Sequence, residues 1–427
     1  MQARAVSKAS SCDIEDPVSR NPQQSLQRLY GLLERGRQFG LERMQAACAV
    51  FGNPERSFRA IHVAGTNGKG SVCAFTASML RAQGAAVGLF TSPHLNRFAE
   101  RIQIDGVPLS DEVLARLIDD VMDRDLDLSF FEAAALIAFL AFREAKVEWG
   151  VLEVGLGGRL DATNVIPPPV IAAITRVSFD HMDMLGNSLS EIAREKAAII
   201  KAGSKVVVGR LHPDAIVEVE RRCAEVGAEI LPLGEAEPYQ GAQLAYPRIA
   251  MYGTNLAVAT TIARALGISP DAMAMGVETA VWPGRNELLH RSGQELTLLD
   301  CAHNPDAAVC LSHIIDSSLA GGAGTRGDVA LVFGAIQSKN WKSMLDRLEH
   351  SAAHRFYVAP PVARAVDPAE MVKHYPGRIF SDVGRAIESA RAKVGPQGLV
   401  VVTGSCFLVG AARAVLLNLE TDPPADS

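Results

Sequence analysis

Between Ile61 and Val72 the chain reads IHVAGTNGKGSV: an apolar β-branched run, then three glycines, one lysine and a hydroxyl, before a helical pattern begins. Gly65, Gly68 and Gly70 lack the Cβ that would hold a backbone away from a phosphate, so successive N–H groups can converge on its oxygens. Thr66 and Asn67 complete the loop, Lys69 adds a point charge, and Ser71 offers a hydroxyl to a phosphate or a metal. A helix expected from about Ser71 to the stop at Gly84 would set the positive end of its dipole beneath the phosphates. Nucleotide binding is the chemistry such a loop performs. Its order departs from G-x-x-x-x-G-K-[ST], because here the lysine precedes the last glycine.

Candidate metal ligands recur just past the ends of the expected strands, where open α/β sheets bind ligands. Ser92 follows a strand ending at Thr91, Glu153 lies within VLEVGLGG, and His181 follows the run that reaches Phe179. Ser92, Glu153 and a triphosphate supply the hard oxygens that magnesium prefers. A carboxylate in an apolar strand is costly unless it is paired or coordinated, which gives Glu153 a functional reading. A lone histidine such as His181 is more often a satisfied loop or core residue.

The elements that must position these groups alternate along the chain. Strands are expected at Ala60–Val63, Ala86–Thr91, Val147–Val154, Val170–Ile174 and Lys205–Val208, with helices near 25–36, 70–83, 111–124, 130–145 and 188–202. The helix at 188–202 has Ser188 and Glu191 at capping-box spacing and Gly203 as its stop. After Trp282-Pro283-Gly284-Arg285 a second series begins, with strands near Leu296–Leu299, Val329–Phe333, Arg355–Val358 and Leu399–Val402. This order defines an α/β protein with a largely parallel sheet. Three segments are expected: a disordered leader at 1–24, an ATP-binding domain at 25–284, and a smaller C-terminal α/β domain, Rossmann-like, at 285–427.

Composition narrows the function. The 427 residues are 48% hydrophobic and carry a net charge of −6, interspersed, with none of the basic footprint of a nucleic-acid binder. Seven cysteines lie far apart with no C-x-x-C pair, as expected of reduced thiols in a cytoplasmic protein. The leader has no apolar signal region and no long apolar run follows it, so no membrane partner is expected. A monomer acting on small molecules is the expectation.

Ten motifs then occur in order: GTNGKGS, TSPHL, FAERIQIDG, SFFEA, LEVGLGGRLDATN, FDHMDMLG, REKAAIIK, WPGR, DCAHNP and TGS. Together they resemble the folate branch of the Mur ligase superfamily, over nearly the whole chain. The resemblance implies a P-loop ATPase domain of Mur-ligase type and an ATP-dependent amide ligase. ATP would phosphorylate a carboxylate of dihydropteroate or a folate, and the amine of L-glutamate would attack the acyl phosphate. Carried onto this sequence, the resemblance gives Lys69 to the phosphates and Ser92 and Glu153 to one magnesium. His181 goes to a second magnesium, and Lys196 becomes the lysine that the family carbamylates. From the residues alone, Lys196 would read as an exposed helical lysine beside Glu195. The resemblance further gives Arg285, Asp300 and His303 to the nucleotide, Asn255 to the adenine side, and Phe131 and Asp161 to the pterin. The form GLGGRLDATN is closer to enzymes that also make dihydrofolate than to those that only extend folates.

Plain alternatives stand beside these roles. Asp300 could cap the following helix, Asn304-Pro305 is a turn signal, Arg285 could pair with Glu287, and Phe130 could be core. Three departures from the family pattern cluster in and around the second domain. Cys301 stands where a glycine is usual, Ser338-Lys339-Asn340 replaces D-K-D, and the stretch from Leu233 to Met251 is short, with no His-Gln before Asn255. They leave room for a sister ligase with another carboxylate acceptor or amino acid, or for an ATP-binding relative without catalysis.

Overall fold

The computed structural model describes residues 21–36, 40–234, 248–289, 296–320 and 328–422. Two sheets organise it. The first contains β1 (Arg59–Ala64), β2 (Val87–Phe90), β3 (Ile102–Ile104), β4 (Val107–Pro108), β5 (Trp149–Glu153), β6 (Ile171–Ile174), β7 (Lys205–Val208) and β8 (Glu229–Leu231), in the order β4-β3-β2-β5-β1-β6-β7-β8. It is parallel except where β3 meets β2 and β4. The second contains β9 (Glu287–Leu289), β10 (Leu296–Leu299), β11 (Val329–Phe333), β12 (His354–Val358), β13 (Arg378–Phe380) and β14 (Leu399–Thr403), in the order β13-β12-β11-β14-β10-β9, with only β9 antiparallel. The α/β class with largely parallel sheets is therefore as expected.

The central strands are apolar runs buried on both faces, as helices packed above and below a parallel sheet require. Register does the positioning. With Val63 opposite Glu153 and Ala64 opposite Ile174, the last residues of β1, β5 and β6 end at one level, where the glycine loop leaves β1. The helix Lys69–Ala82 that follows is buried from Gly70 to Leu80 and packs against the helices Arg248–Ala265 and Pro270–Thr279. Burial on all sides holds its first turn still. On the opposite layer, the helix Phe130–Glu144 carries a full capping box between Ser129 and Glu132 and is almost entirely core. Phe130 belongs to that core, stacked on Tyr30 with ring centroids 5.8 Å apart.

Three expected boundaries move. A helix begins at Pro22, inside the stretch expected to be a leader, because Asn21 accepts the Gln23 N–H and proline occupies the first turn; residues 1–20 lie outside those described. The phosphate-loop helix starts at Lys69 instead of Ser71. The helix expected to reach 202 ends at Ala197, after which tighter turns bury Ile199 and Ile200 completely, and Gly203 instead serves the turn before β7 with φ +84°. The short strands β3, β4, β8, β9 and β13 were not expected; each has two or three residues, too few for a periodic pattern. Among the described residues no helix is long and apolar enough to cross a membrane.

Candidate active site

The glycine loop is held in a form that only glycine allows. Gly65 has φ +155°, and a Cβ there would lie 1.9 Å from Thr175 Oγ1. Gly68, with φ +88°, is the N-cap of the loop helix, and a Cβ on it would lie 2.2 Å from Asn255 Oδ1. Gly70 leaves room for the Trp282 ring, whose Cζ2 would be 2.4 Å from an added Cβ. Thr66 is pinned to the end of β6, its N–H donating to Arg176 O at 2.6 Å and its hydroxyl to Ser178 O at 3.1 Å. A glycine N-cap has no side chain to occupy the first N–H groups of the helix, so they remain for an anion.

Lys69 and Glu153 meet behind this loop. Their Nζ and Oε1 are 3.8 Å apart, and Glu153 Oε2 accepts the Ser92 N–H at 3.1 Å. Glu153 is 4% exposed, and burial raises its pKa against the opposing pull of Lys69, the Ser92 N–H and Arg285. Lys196, expected from the residues alone to be exposed, is 3% exposed and donates to Gly65 O at 3.0 Å. Burial first, then Lys69, pushes its pKa down to about 7, although Asp180, Asp161 and Glu195 pull the other way. His181 follows at the N-cap of the short helix Met182–Leu185, in the left-handed region with φ 50°. Ser92, Glu153, His181 and Lys196 thus line one cleft with the loop. Among the described residues no three His, Cys, Asp or Glu side chains form a cage for a metal ion. A magnesium ion that takes several ligands from phosphates and water needs no such cage, and the hard oxygens of Ser92 and Glu153 beside the loop fit it.

The second sheet closes the cleft from the other side. Lys339, just past β11, reaches across to Asp180, donating from Nζ to Oδ1 at 2.7 Å, while Asn304 Nδ2 donates to Oδ2 at 3.2 Å. His303 Nε2 lies 3.7 Å from the same oxygen. Burial opposes ionisation of Asp180, yet Lys339, His303 and His181 together hold its carboxyl well below the usual range. Asn67 and Asn304 exchange amide hydrogen bonds at 3.1 and 2.9 Å, and Asn67 also donates to Asp306 Oδ2 at 2.8 Å. Arg176 completes the seam with Asp306 at 2.5 Å.

The residues expected on the nucleotide side separate by role. Asp300 accepts the N–H groups of Asn286 and Ala302, both at 2.9 Å, so it ties the hinge, the link between the two sheets at 284–286, to the end of β10 and leaves the helix cap to Asn304, which accepts from Ala307 N. Glu287, the alternative partner for Arg285, accepts from Gly284 N at 2.7 Å and Arg413 Nε at 3.0 Å. Arg285 itself donates to Gly284 O at 3.2 Å and to Cys406 Sγ at 3.8 Å. Asn255 lines the cleft, with the face of the helix Pro305–Ala320 as the opposite wall. Most of the short stretch from Leu233 to Met251 lies outside the described residues.

At the far end the Phe131 ring covers Gly155, where a Cβ would be 2.5 Å from its Cζ. Asp161, expected to face the pterin, turns both oxygens inward: Oδ2 accepts from Gly155 N and Leu156 N at 2.9 and 3.0 Å, and Oδ1 from Thr163 N and Oγ1 at 3.0 and 2.5 Å. It shapes the loop.

Sequence reasoning passed over Asp180 and assigned no role to Lys339. The signal available for Asp180 was an aspartate directly before the candidate histidine, just after an apolar strand. Arg101 was also overlooked; it is buried over the rings of Phe98 and Phe130, its Nε 2.8 Å from His94 Nδ1.

A glycine loop opening a buried helix, with an acidic and a cationic side chain behind it and a second α/β sheet closing over it, defines a two-domain nucleotide-dependent enzyme of Mur-ligase architecture. Residues 63–246 match the Mur ligase middle domain and residues 284–406 the Mur ligase glutamate ligase domain. A dihydrofolate synthase/folylpolyglutamate synthase of Bacillus subtilis is 35% identical over 90% of this chain and 96% of its own length. Its Escherichia coli counterpart is 31% identical over 88% and 91%. The solved Escherichia coli enzyme in complex with DHPP and ADP superposes with a TM-score of 0.82 at 28% identity, covering 94% of this chain and 99% of that one. A Yersinia pestis bifunctional enzyme holding AMPPNP and manganese gives a TM-score of 0.82 at 30% identity, covering 94% and 100%. The chain belongs to the Mur ligase family, in its dihydrofolate synthase/folylpolyglutamate synthase branch.

Proposed function

We propose that this chain is an ATP- and magnesium-dependent ligase that adds L-glutamate to dihydropteroate and to reduced folates through an acyl phosphate. The observation that carries the reading is the convergence of the glycine loop, Lys69 and Glu153 with Asp180, His181 and Lys196, beneath His303, Asn304 and Lys339 of the second sheet. In the first step a substrate carboxylate oxygen attacks the γ-phosphorus and ADP leaves. In the second the glutamate amine attacks the acyl carbon, phosphate leaves, and the nitrogen gives up a proton.

The loop N–H groups and Lys69 hold the phosphate oxygens in line for the first step. Ser92 and Glu153 would hold one magnesium ion, and His181 and Lys196 a second; magnesium, when bound, neutralises the charge on the transferring phosphoryl group. Lys196 can serve only if its amine is converted to an oxygen ligand. Its lowered pKa leaves a large neutral fraction near pH 7, and a neutral amine adds to carbon dioxide with loss of one proton to give a carbamate. Arg285, Asp300 and His303 border the nucleotide from the second sheet, and Asn255 its adenine end. Phe131 and the loop shaped by Asp161 border the pterin. Closure of the second sheet shields the acyl phosphate from water. A cytoplasmic monomer is the setting we propose, in keeping with the unpaired thiols among the described residues.

L-glutamate-dependent ADP release, run in parallel on dihydropteroate and tetrahydrofolate with product masses checked, tests this reading. Activity on both supports it. Activity on one restricts the branch, and ATP binding with no turnover on either would move the chain to another acceptor or to a non-catalytic relative.

A further inference from the structure

Two cysteines meet at the hinge side of the cleft. Cys301 stands just after β10, and Cys406 is the first residue of the helix Cys406–Leu417 that follows β14. β10 and β14 are neighbouring parallel strands, with Leu299 opposite Val402, and the pairing continues past them as Gly404 N–H donates to Ala302 O at 3.1 Å. This places the two thiols close enough that each perturbs the ionisation of the other. Arg285 Nη2 lies 3.8 Å from Cys406 Sγ. Cys301 is buried, whereas Cys406 is partly exposed.

We propose that Cys301 and Cys406 form an oxidant-modification site, in which a hydroperoxide converts the pair to a disulfide that disables the cleft. Cys406 is the attacking sulfur. The neighbouring Cys301 thiol, with Arg285 and His303 behind it, holds the Cys406 thiol well below its ordinary value against the opposing effect of its partial burial, while burial and the nearness of Cys406 hold Cys301 up. A helix N-terminus and a guanidinium are the surroundings that make a thiolate. The Cys406 thiolate displaces hydroxide from hydrogen peroxide to give a sulfenic acid. The Cys301 thiol then attacks that sulfur, its proton leaves with the hydroxyl as water, and both cysteines have been oxidised by one electron each. Drawing two unbonded sulfurs together to the ~2 Å of a disulfide must shift either the end of β10 or the helix start. Those are the segments that set His303 and the Arg285 contact, so turnover falls.

The test treats the full-length protein with one equivalent of hydrogen peroxide and maps its peptides without reduction. We expect a linked peptide joining Cys301 to Cys406, a loss of two hydrogens in the intact mass, and at least a tenfold loss of glutamate-dependent ADP release, with dithiothreitol reversing all three. C301A should instead give a dimedone-trappable sulfenic acid on Cys406, and C406S should give no linked peptide. Oxidation at other cysteines, such as exposed Cys310, without the Cys301–Cys406 link overturns the proposal, as does a link formed with turnover unchanged. The peptide map does not depend on activity, so failure of this site is distinct from failure of the ligase reading.

Discussion

Lys339 and Asp180 are joined across the cleft by a 2.7 Å ion pair in which both side chains are nearly buried, 9% and 11% exposed. One comes from the loop after β11 and the other from the segment after β6, so this bond exists only when the two sheets face each other closed. Lys339 also lies 3.4 Å from His181 Nε2, which places it as a positioning residue for the histidine expected to hold a metal.

Replacing Lys339 with methionine keeps most of its bulk and removes the charge, leaving Asp180 without its nearest cation. Breaking a nearly buried pair on one side costs about 3 kcal/mol. We expect kcat to fall about a hundredfold, with ATP affinity of the open form little changed. Steady-state kinetics beside equilibrium ATP titration separate the two, and an equal loss in both would assign Lys339 to nucleotide binding instead.

Gly65→Ala should abolish nucleotide binding while leaving much of the fold intact. The added methyl group would overlap Thr175 Oγ1 at 1.9 Å, and relief has to come from the loop itself. A loss of at least about a hundredfold in ATP affinity, equivalent to about 3 kcal/mol, is expected by calorimetry. Wild-type affinity would remove the loop from the site.

Glu153→Gln preserves shape and the contact with the Ser92 N–H but removes the negative charge and replaces one of the two acceptor oxygens with an amide NH2. Magnesium-dependent turnover should drop about a thousandfold, about 4 kcal/mol of lost charge stabilisation. Activity at the wild-type level across a magnesium titration would show that Glu153 is not a ligand.

The Lys196 amine is protonated below its folded pKa of about 7 and neutral above it. Only the neutral form adds carbon dioxide, so the carbamate should build up as pH rises from 6 to 8 and be lost in the other direction. A 13C-bicarbonate label followed by NMR reads this directly. Lys196→Ala should be inactive and partly rescued by short carboxylates; a flat label signal together with no rescue would exclude carbamylation.

What could be seen in advance was local. The loop at 65–71 declares itself through three glycines and a lysine within a few residues, and Glu153 through a charge in an apolar strand. Asp180 offered only its place before His181, because its partners, Asn304 and Lys339, are 124 and 159 residues away. The replacement of D-K-D by Ser338-Lys339-Asn340 looked like a loss, yet the lysine is kept and Asn340 caps the next helix by accepting the Ser343 N–H at 3.2 Å. Gly203 misled because a helix stop is only a permission. Burial of Ile199 and Ile200 ended that helix five residues before the expected 202.

Trp282 sits at the hinge with its ring against the backbone of Gly70, and its Nε1 is buried without a hydrogen-bond partner. Of the three tryptophans, Trp149 is fixed beneath Arg59 in the first sheet and Trp341 belongs to the helix Trp341–Leu348 of the second, so Trp282 is the one lodged where the glycine loop meets the link between the sheets. Any rotation of the second sheet that lifts this ring off Gly70 exposes the indole to water and changes its fluorescence. The protein thus carries its own optical gauge of opening and closing, readable during turnover without an attached dye.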